Sequence, residues 1–313
     1  MPPRRQVVGF ALVAIGATLL PTAGPSSAAP ARQTLPPRSA ELVLARVSNN
    51  PRKDHPGLQA LGDYLAAGLR QAGIQRARVQ FAADADAMTG LLARGEVDLA
   101  FDTVFAALGY QRDTGAALML REWRDGRPTY RSVLFKRRDL PLASLADLTG
   151  RVIAFERPSS TSGYFVPRAE LMSAGLQLMK LADASAPLPP RTVGYVFAGS
   201  ENNLVIWVHR RLVSAGAFSD IDWDQSEDMP PPLRQDLEIF HRSAPLPRAL
   251  VVGRSGLPAA LARSVVRLLL AADRDPRGIF ALAQRRATRY DELTGEAAEG
   301  IAAARSLMAA FGS

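Results

Sequence analysis

Residues 154–171, AFERPSSTSGYFVPRAEL, place four consecutive hydroxyl side chains, Ser159 to Ser162, between an apolar run and a segment that reads as a helix. RVIAF (151–155) has the character of a buried strand, while Phe165, Ala169 and Met172 give the following segment an apolar face that Gly175 terminates. Pro167 lies near the first turn, where a missing amide hydrogen costs least. A helix start leaves its first amides without intrahelical acceptors and gathers about half a positive elementary charge, so it attracts anions. Hydroxyls of Ser160, Thr161 and Ser162 add donors there, and Gly163 lets the backbone approach a guest closely. One Ser or Thr suffices to cap a helix. The run reads either as such a cap with surplus hydroxyls in water or as an anion cradle.

The same unit recurs on both sides. Leu42 to Val47 reads as a strand, 56 to 73 as a helix with Leu58, Leu61, Leu65 and Leu69 on one face and Gly73 as its stop. A strand at 77–82, a helix at 84–94 opened by Asp84 or Asp86, VDLAF (97–101) and a helix from about Thr103 follow, then strands at 116–120 and 130–135. VGYVF (193–197) precedes another helix, and SAGAF (214–218) is a further strand. This alternation predicts parallel or mixed sheets covered by helices, an α/β fold. Four strands end in polar clusters: Ser48-Asn49-Asn50, Asp102-Thr103, Ser159 to Ser162, and Gly199-Ser200-Glu201-Asn202. In open α/β sheets ligands bind at such carboxyl ends.

The extreme N-terminus reads as a secretory signal: Arg4 and Arg5, an apolar core over 7–20, then small residues to a cleavage site near Ala31. Residues 32–40 read as a disordered spacer. The composition, 47% hydrophobic and 22% charged, is that of a globular chain, and the length suits two lobes. Zero cysteines exclude a disulfide framework, a thiol nucleophile and a lipidated N-terminal cysteine. The formal charge is +8, and since Arg4 and Arg5 are the only charged residues up to Ala31, cleavage there lowers it by two, to +6. That surplus favours anionic ligands or surfaces. Nucleic acid is a poor partner for an exported chain with scattered arginines.

Enzyme readings find little support. His55, His209 and His241 lack metal-ligand spacing, no phosphate loop or nucleophile elbow is present, and the serines have no nominated base. No cofactor, metal or catalytic residue is expected.

PSSTSGYFVPRAEL (158–171) resembles the Pro-x-Ser-Thr-Ser-Gly segment of the phosphate-, phosphite- and phosphonate-binding proteins of ABC transporters. The likeness continues, in the family's order, through VSNNPRKDHPGLQALGDYL (47–65), GEVDLAFDTVFAAL (95–108), SLADLTGRVIAF (144–155), YVFAGSENN (195–203) and SAGAFSDIDW (214–223). The resemblance implies a two-lobed type II periplasmic binding protein, each lobe a mixed sheet flanked by helices, with a ligand cleft between them. Residues 41–136 with 246–313 would form one lobe and 137–245 the other. The implied function is capture of a phosphonate- or phosphate-like oxyanion in the periplasm for an ABC permease of the inner membrane, by a monomer. The alternative is a sensor that reports ligand to a membrane receptor or kinase without transport.

Ser160, Thr161 and Ser162 match the family's phosphonate-holding hydroxyls, with Gly163 and Tyr164 following. Where many relatives have a histidine after serine, this chain has Ser200-Glu201-Asn202, and an ionised glutamate repels a phosphonate dianion. The first lobe also departs from the family, carrying Asp102-Thr103, where Asp102 either caps the next helix or meets ligand. Asp102 and Glu201 together would suit an aminoalkyl phosphonate. Asp220 and Asp222 are read either as ligand acids or as turn caps. Ser48 and Asn49 complete the expected contacts. Nearby Arg52 and Lys53 read as a solvated pair, and Trp207 as core packing.

Overall fold

In ELVLARV (41–47) the apolar side chains alternate between two cores: Leu42 and Leu44 pack on one side, Val43 and Ala45 on the other. A strand buried on both faces requires covering helices on both faces, and that requirement shapes the whole molecule. The structure is a computed structural model describing residues 40–311 apart from Asn49 and Ser159. The expected signal segment and the spacer up to residue 39 lie outside the described residues.

The chain opens with β1 (Glu41–Val47), α1 (Pro51–Gly68), β2 (Arg76–Ala82), α2 (Ala85–Ala93), β3 (Leu99–Asp102), α3 (Val104–Thr114) and β4 (Ala117–Arg124). A short β5 (Thr129–Tyr130) leads to β6 (Ser132–Arg137), β7 (Val152–Phe155), α4 (Val166–Ser173), β8 (Gln177–Lys180) and β9 (Thr192–Phe197). Then come α5 (Glu201–His209), β10 (Ala215–Ser219), α6 (Asp220–Asp224), α7 (Pro231–Arg234) and β11 (Leu237–Arg242). The return passes through β12 (Leu246–Pro247) to β13 (Ala249–Gly253), α8 (Ala259–Ala271), α9 (Pro276–Ala283), β14 (Ala287–Asp291) and α10 (Glu296–Phe311).

Among the described residues the strands form two six-stranded mixed sheets, ordered β14-β4-β13-β3-β1-β2 and β11-β6-β10-β7-β9-β8, and a two-stranded ribbon of β5 and β12. Two chain passages join the sheets, and the antiparallel ribbon, with Tyr130 opposite Leu246, lies on both of them. The fold is thus the expected two-lobed α/β one. The change of sheet, however, falls between β4 and β6. Residues 132–136, expected in the first lobe, pair antiparallel with β10 and β11 in the second sheet. The strand expected at 130–135 is correspondingly split between ribbon and sheet.

The helix expected from 56 begins at Pro51, because the Asn50 side chain accepts the Lys53 amide at 3.3 Å and Pro51 suits the first turn. Cores line both faces of the second sheet, with Ala154 on one side and Ile153 and Phe155 on the other. One apolar cluster bridges the lobes: Phe105 of α3 and Ile301 and Ala304 of α10 join Val166 of α4. No helix among the described residues is long and apolar enough to cross a membrane.

Candidate functional site

The carboxyl ends of β1, β3, β4, β7 and β10 and the amino end of β13 face a shared cavity of about 290 Å³. Its second-lobe wall is built on the turn after β7. Thr161–Phe165 form a π-helical turn in which the Phe165 amide reaches the Ser160 carbonyl at 3.0 Å. Such a turn widens the helix mouth, a device common at functional sites. Ser160 is the cap: its hydroxyl accepts the Gly163 amide at 2.9 Å. The Thr161 side chain stands beside the Tyr130 hydroxyl from the ribbon. Ser162 accepts the Ser132 hydroxyl at its carbonyl oxygen, 2.6 Å away. Gly163 admits no larger residue, since a Cβ there would lie 2.7 Å from the Glu156 Cβ and 2.8 Å from the Ser160 Oγ.

Glu156 is buried beside this mouth, with Arg157 Nη1 2.9 Å from its carboxyl. Burial first, and then the neighbouring Glu201 against the pull of the Ser160 hydroxyl and Arg157, pushes its pKa up to about 7. The carboxyl flanks the mouth without filling the cavity, which Ser160, Thr161 and Ser162 still line.

The first-lobe wall carries four arginines, Arg46, Arg124, Arg248 and Arg285, against two acids, Asp102 and Glu122. Glu122 is 1% exposed and takes Arg285 Nη2 at 2.6 Å and the Tyr290 hydroxyl at 2.9 Å, and Arg124 Nε lies 3.3 Å away. The Arg285 guanidinium lies 4.5 Å above the Phe101 ring. Burial pushes Arg46 down, with repulsion from Arg124 and Arg285 adding to it and Asp54 opposing. Burial and Arg124 do the same to Arg248. Arg46 Nε, Arg248 Nη1 and Arg285 Nε are buried without a hydrogen-bond partner among the described residues.

Of the residues singled out from sequence, Ser160, Thr161, Ser162, Asp102, Thr103 and Glu201 line the cavity together, with Gly163 buried behind them. Asp102 also serves its own lobe: its carboxylate accepts the Thr103 amide and the Tyr110 hydroxyl, each at 2.7 Å, and burial pushes its pKa up. Four expected contacts are corrected. Tyr164 points into the second-lobe core, where aromatic packing with Phe155 and Phe197 (centroids 5.2 and 4.9 Å) holds it. Ser48 donates to Asp54 at 2.5 Å beside the start of α1. Ser200 caps α5 by accepting the Asn203 amide. Asp220 accepts the Arg131 amide at 2.9 Å, and Asp222 lines the cavity instead, held by Ser219 in a capping box. Asn49 lies outside the described residues. Arg52 and Lys53 are exposed, and Trp207 packs against the core, as expected.

Sequence reasoning missed the arginine wall, Glu122, Glu156 and Tyr130. The available signal was charge at the ends of otherwise apolar strands: Arg46 in ELVLARV, Glu122 and Arg124 in LMLREWR, and Arg248 just before ALVVG. His209 and His241 pair with Asp236 and Glu170, each at 2.9 Å, and no group of three metal-ligating side chains occurs among the described residues.

Two lobes, two chain crossings and a polar cleft at the strand ends define a ligand-binding protein of the type II periplasmic fold. The chain belongs to the periplasmic substrate-binding proteins of phosphonate ABC transporters, whose family model matches residues 47–297. It is 29% identical over 192 residues to the phosphate-import protein PhnD of Mycolicibacterium smegmatis, a match that spans 59% of this chain and 57% of that protein. Structures of XAC2383 from Xanthomonas citri, solved with chloride and with ATP, superpose with a TM-score of 0.79 at 33% and 32% identity, covering 88% of this chain and 99% of theirs. PhnD1 of Prochlorococcus marinus, solved with methylphosphonate, shares the fold at a TM-score of 0.59 and 17% identity, covering 86% of this chain and 98% of its own.

Proposed function

We propose that this chain, after export and loss of its signal segment, works in the periplasm as a monomeric solute-binding protein that captures a phosphate- or phosphonate-type oxyanion and delivers it to an ABC permease of the inner membrane. The observation that carries this reading is the pairing of the Ser160–Ser162 mouth with an arginine-rich wall across one cavity. The names of the relatives point the same way: phosphate import in one, methylphosphonate and ATP bound in two others. Ser160 holds the mouth in shape, Thr161 and Ser162 with the first amides meet the oxyanion, and Thr103 contributes from the start of α3.

The magnitudes are adequate. A hydrogen bond to a charged group contributes about 1.5–3 kcal/mol, so four give roughly 6–12 kcal/mol before desolvation and closure costs, and micromolar affinity requires about 8 kcal/mol net. Capture needs no catalytic group. Closing of the lobes about the ribbon then presents a loaded form to the permease.

Thermal unfolding in the presence of phosphate, phosphite, sulfate and methylphosphonate tests the reading, because ligand at about a hundred times its Kd stabilises the fold by roughly 2.7 kcal/mol. Stabilisation by phosphate or methylphosphonate is expected. No shift with any of the four would contradict the proposal.

A further inference from the structure

The hydroxyl mouth accounts for one wall of the cavity and leaves the other unexplained. Arg285 is 8% exposed, yet its Nε has no hydrogen-bond partner among the described residues, and the same holds for Arg46 Nε and Arg248 Nη1. Burying a cationic group with unsatisfied donors is costly, and crowding it with others of the same sign adds to the cost. Glu122 offsets one of these charges. Asp54 and Asp125 stand 3.5 and 3.6 Å from Arg46 and Arg248, beyond good hydrogen-bond geometry. Such a wall is preorganised for an anion that the protein itself does not supply.

The layout of the cavity argues in the same direction: Thr161 and Ser162 line it from the second lobe, and Arg46, Arg124, Arg248 and Arg285 from the first. On the second-lobe wall Asp222 accepts the Ser219 amide and hydroxyl, at 3.0 and 2.6 Å, and Glu201 stands near Glu156.

Building on the oxyanion reading, we infer that the ligand carries two separate anionic groups, one held at the Thr161–Ser162 mouth and the other on the arginines of the first lobe. The class is that of small organic molecules bearing a phosphonate or phosphate ester together with a second phosphate or a carboxylate. Binding one anionic end to each lobe also gives the ligand its grip on the closed form, since each end satisfies donors on a different wall.

Titration calorimetry on the full mature chain, with methylphosphonate, 2-aminoethylphosphonate, 3-phosphonopropionate and inorganic diphosphate as probes, tests this directly. At least one of the two-anion probes is expected to bind tenfold or more tighter than methylphosphonate and tighter than the amine. In Arg46→Gln and Arg124→Gln, each checked for an unchanged unfolding transition, the loss for that probe is expected to exceed the loss for methylphosphonate by tenfold, with Arg46→Lys recovering part of it. Methylphosphonate binding as tightly as both two-anion probes would overturn the inference and leave the oxyanion reading standing. Failure of all four probes to bind would overturn both. Should either arginine variant fail to fold, the ranking of the four probes on the wild type decides alone.

Discussion

Glu156, just past β7, and Glu201, at the start of α5, meet beside the hydroxyl mouth, and burial together with this proximity holds the Glu156 carboxyl at a pKa of about 7. Its folded value lies above the ordinary 4.5, so the stability contributed by its protonated form is fully present below about 4.5 and is lost as the pH rises through about 7. Above that point a second negative charge stands beside the bound oxyanion. Oxyanion affinity of the wild type is expected to fall between about pH 6 and about pH 8 relative to Glu156→Gln, which keeps the shape without the charge. Calorimetry on both proteins cancels the ionisation of the ligand itself, and parallel pH profiles would contradict the assignment.

Gly163→Ala should behave against helix propensity. Alanine is favoured over glycine by about 1 kcal/mol in a helix interior, yet its Cβ would fall 2.7 Å from the Glu156 Cβ. Overpacking of this kind costs about 1–3 kcal/mol. Urea unfolding is expected to show a less stable variant, and calorimetry a loss of oxyanion affinity of roughly tenfold, the size of one displaced hydrogen bond to charge. A stabilised variant with intact binding would show that the mouth has room to spare.

Ser160→Ala separates capping from capture. Its hydroxyl accepts the Gly163 amide, and loss of such a cap costs about 1 kcal/mol. The midpoint of chemical unfolding should move accordingly, and an unchanged midpoint would contradict the cap.

What the sequence revealed was local, and what it concealed was assembled over distance. β1, β3, β7, β9 and β10 are short apolar runs ended by polar clusters, so their pattern is visible in the chain itself. β8 and β11 are edge strands, and in the first sheet β13 inserts antiparallel between β3 and β4. The half-exposed residues of β8 and β11 carry no clean period. The hydroxyl mouth is contiguous and therefore legible. Arg46, Arg124, Arg248 and Arg285 lie far apart in sequence, and only the pairing of β13 with β3 and β4, with α9 packed behind, gathers them. Tyr164 shows the converse: adjacency to the mouth suggested a contact, but the wide turn directs the ring into an aromatic core.

Phe105 of α3 and Phe165 of the wide turn pack with ring centroids 4.5 Å apart, an apolar link between the lobes. Phe105→Ala removes it, at a cost of about 3–5 kcal/mol for a well-buried ring. Small-angle scattering of the ligand-free variant is expected to give a larger radius of gyration than the wild type, with weaker oxyanion binding. An unchanged radius would reduce the contact to ordinary core packing.

The central claim is that Thr161 and Ser162 hold a phosphate-type oxyanion at the mouth of the second-lobe helix. Calorimetric titration of methylphosphonate into the wild type and into the Thr161→Ala/Ser162→Ala double variant tests it most directly. Two lost hydrogen bonds to charge, at about 1.5–3 kcal/mol each, predict a loss of affinity of roughly a hundredfold or more in a variant that still unfolds cooperatively. Equal affinity in the two proteins would contradict the claim.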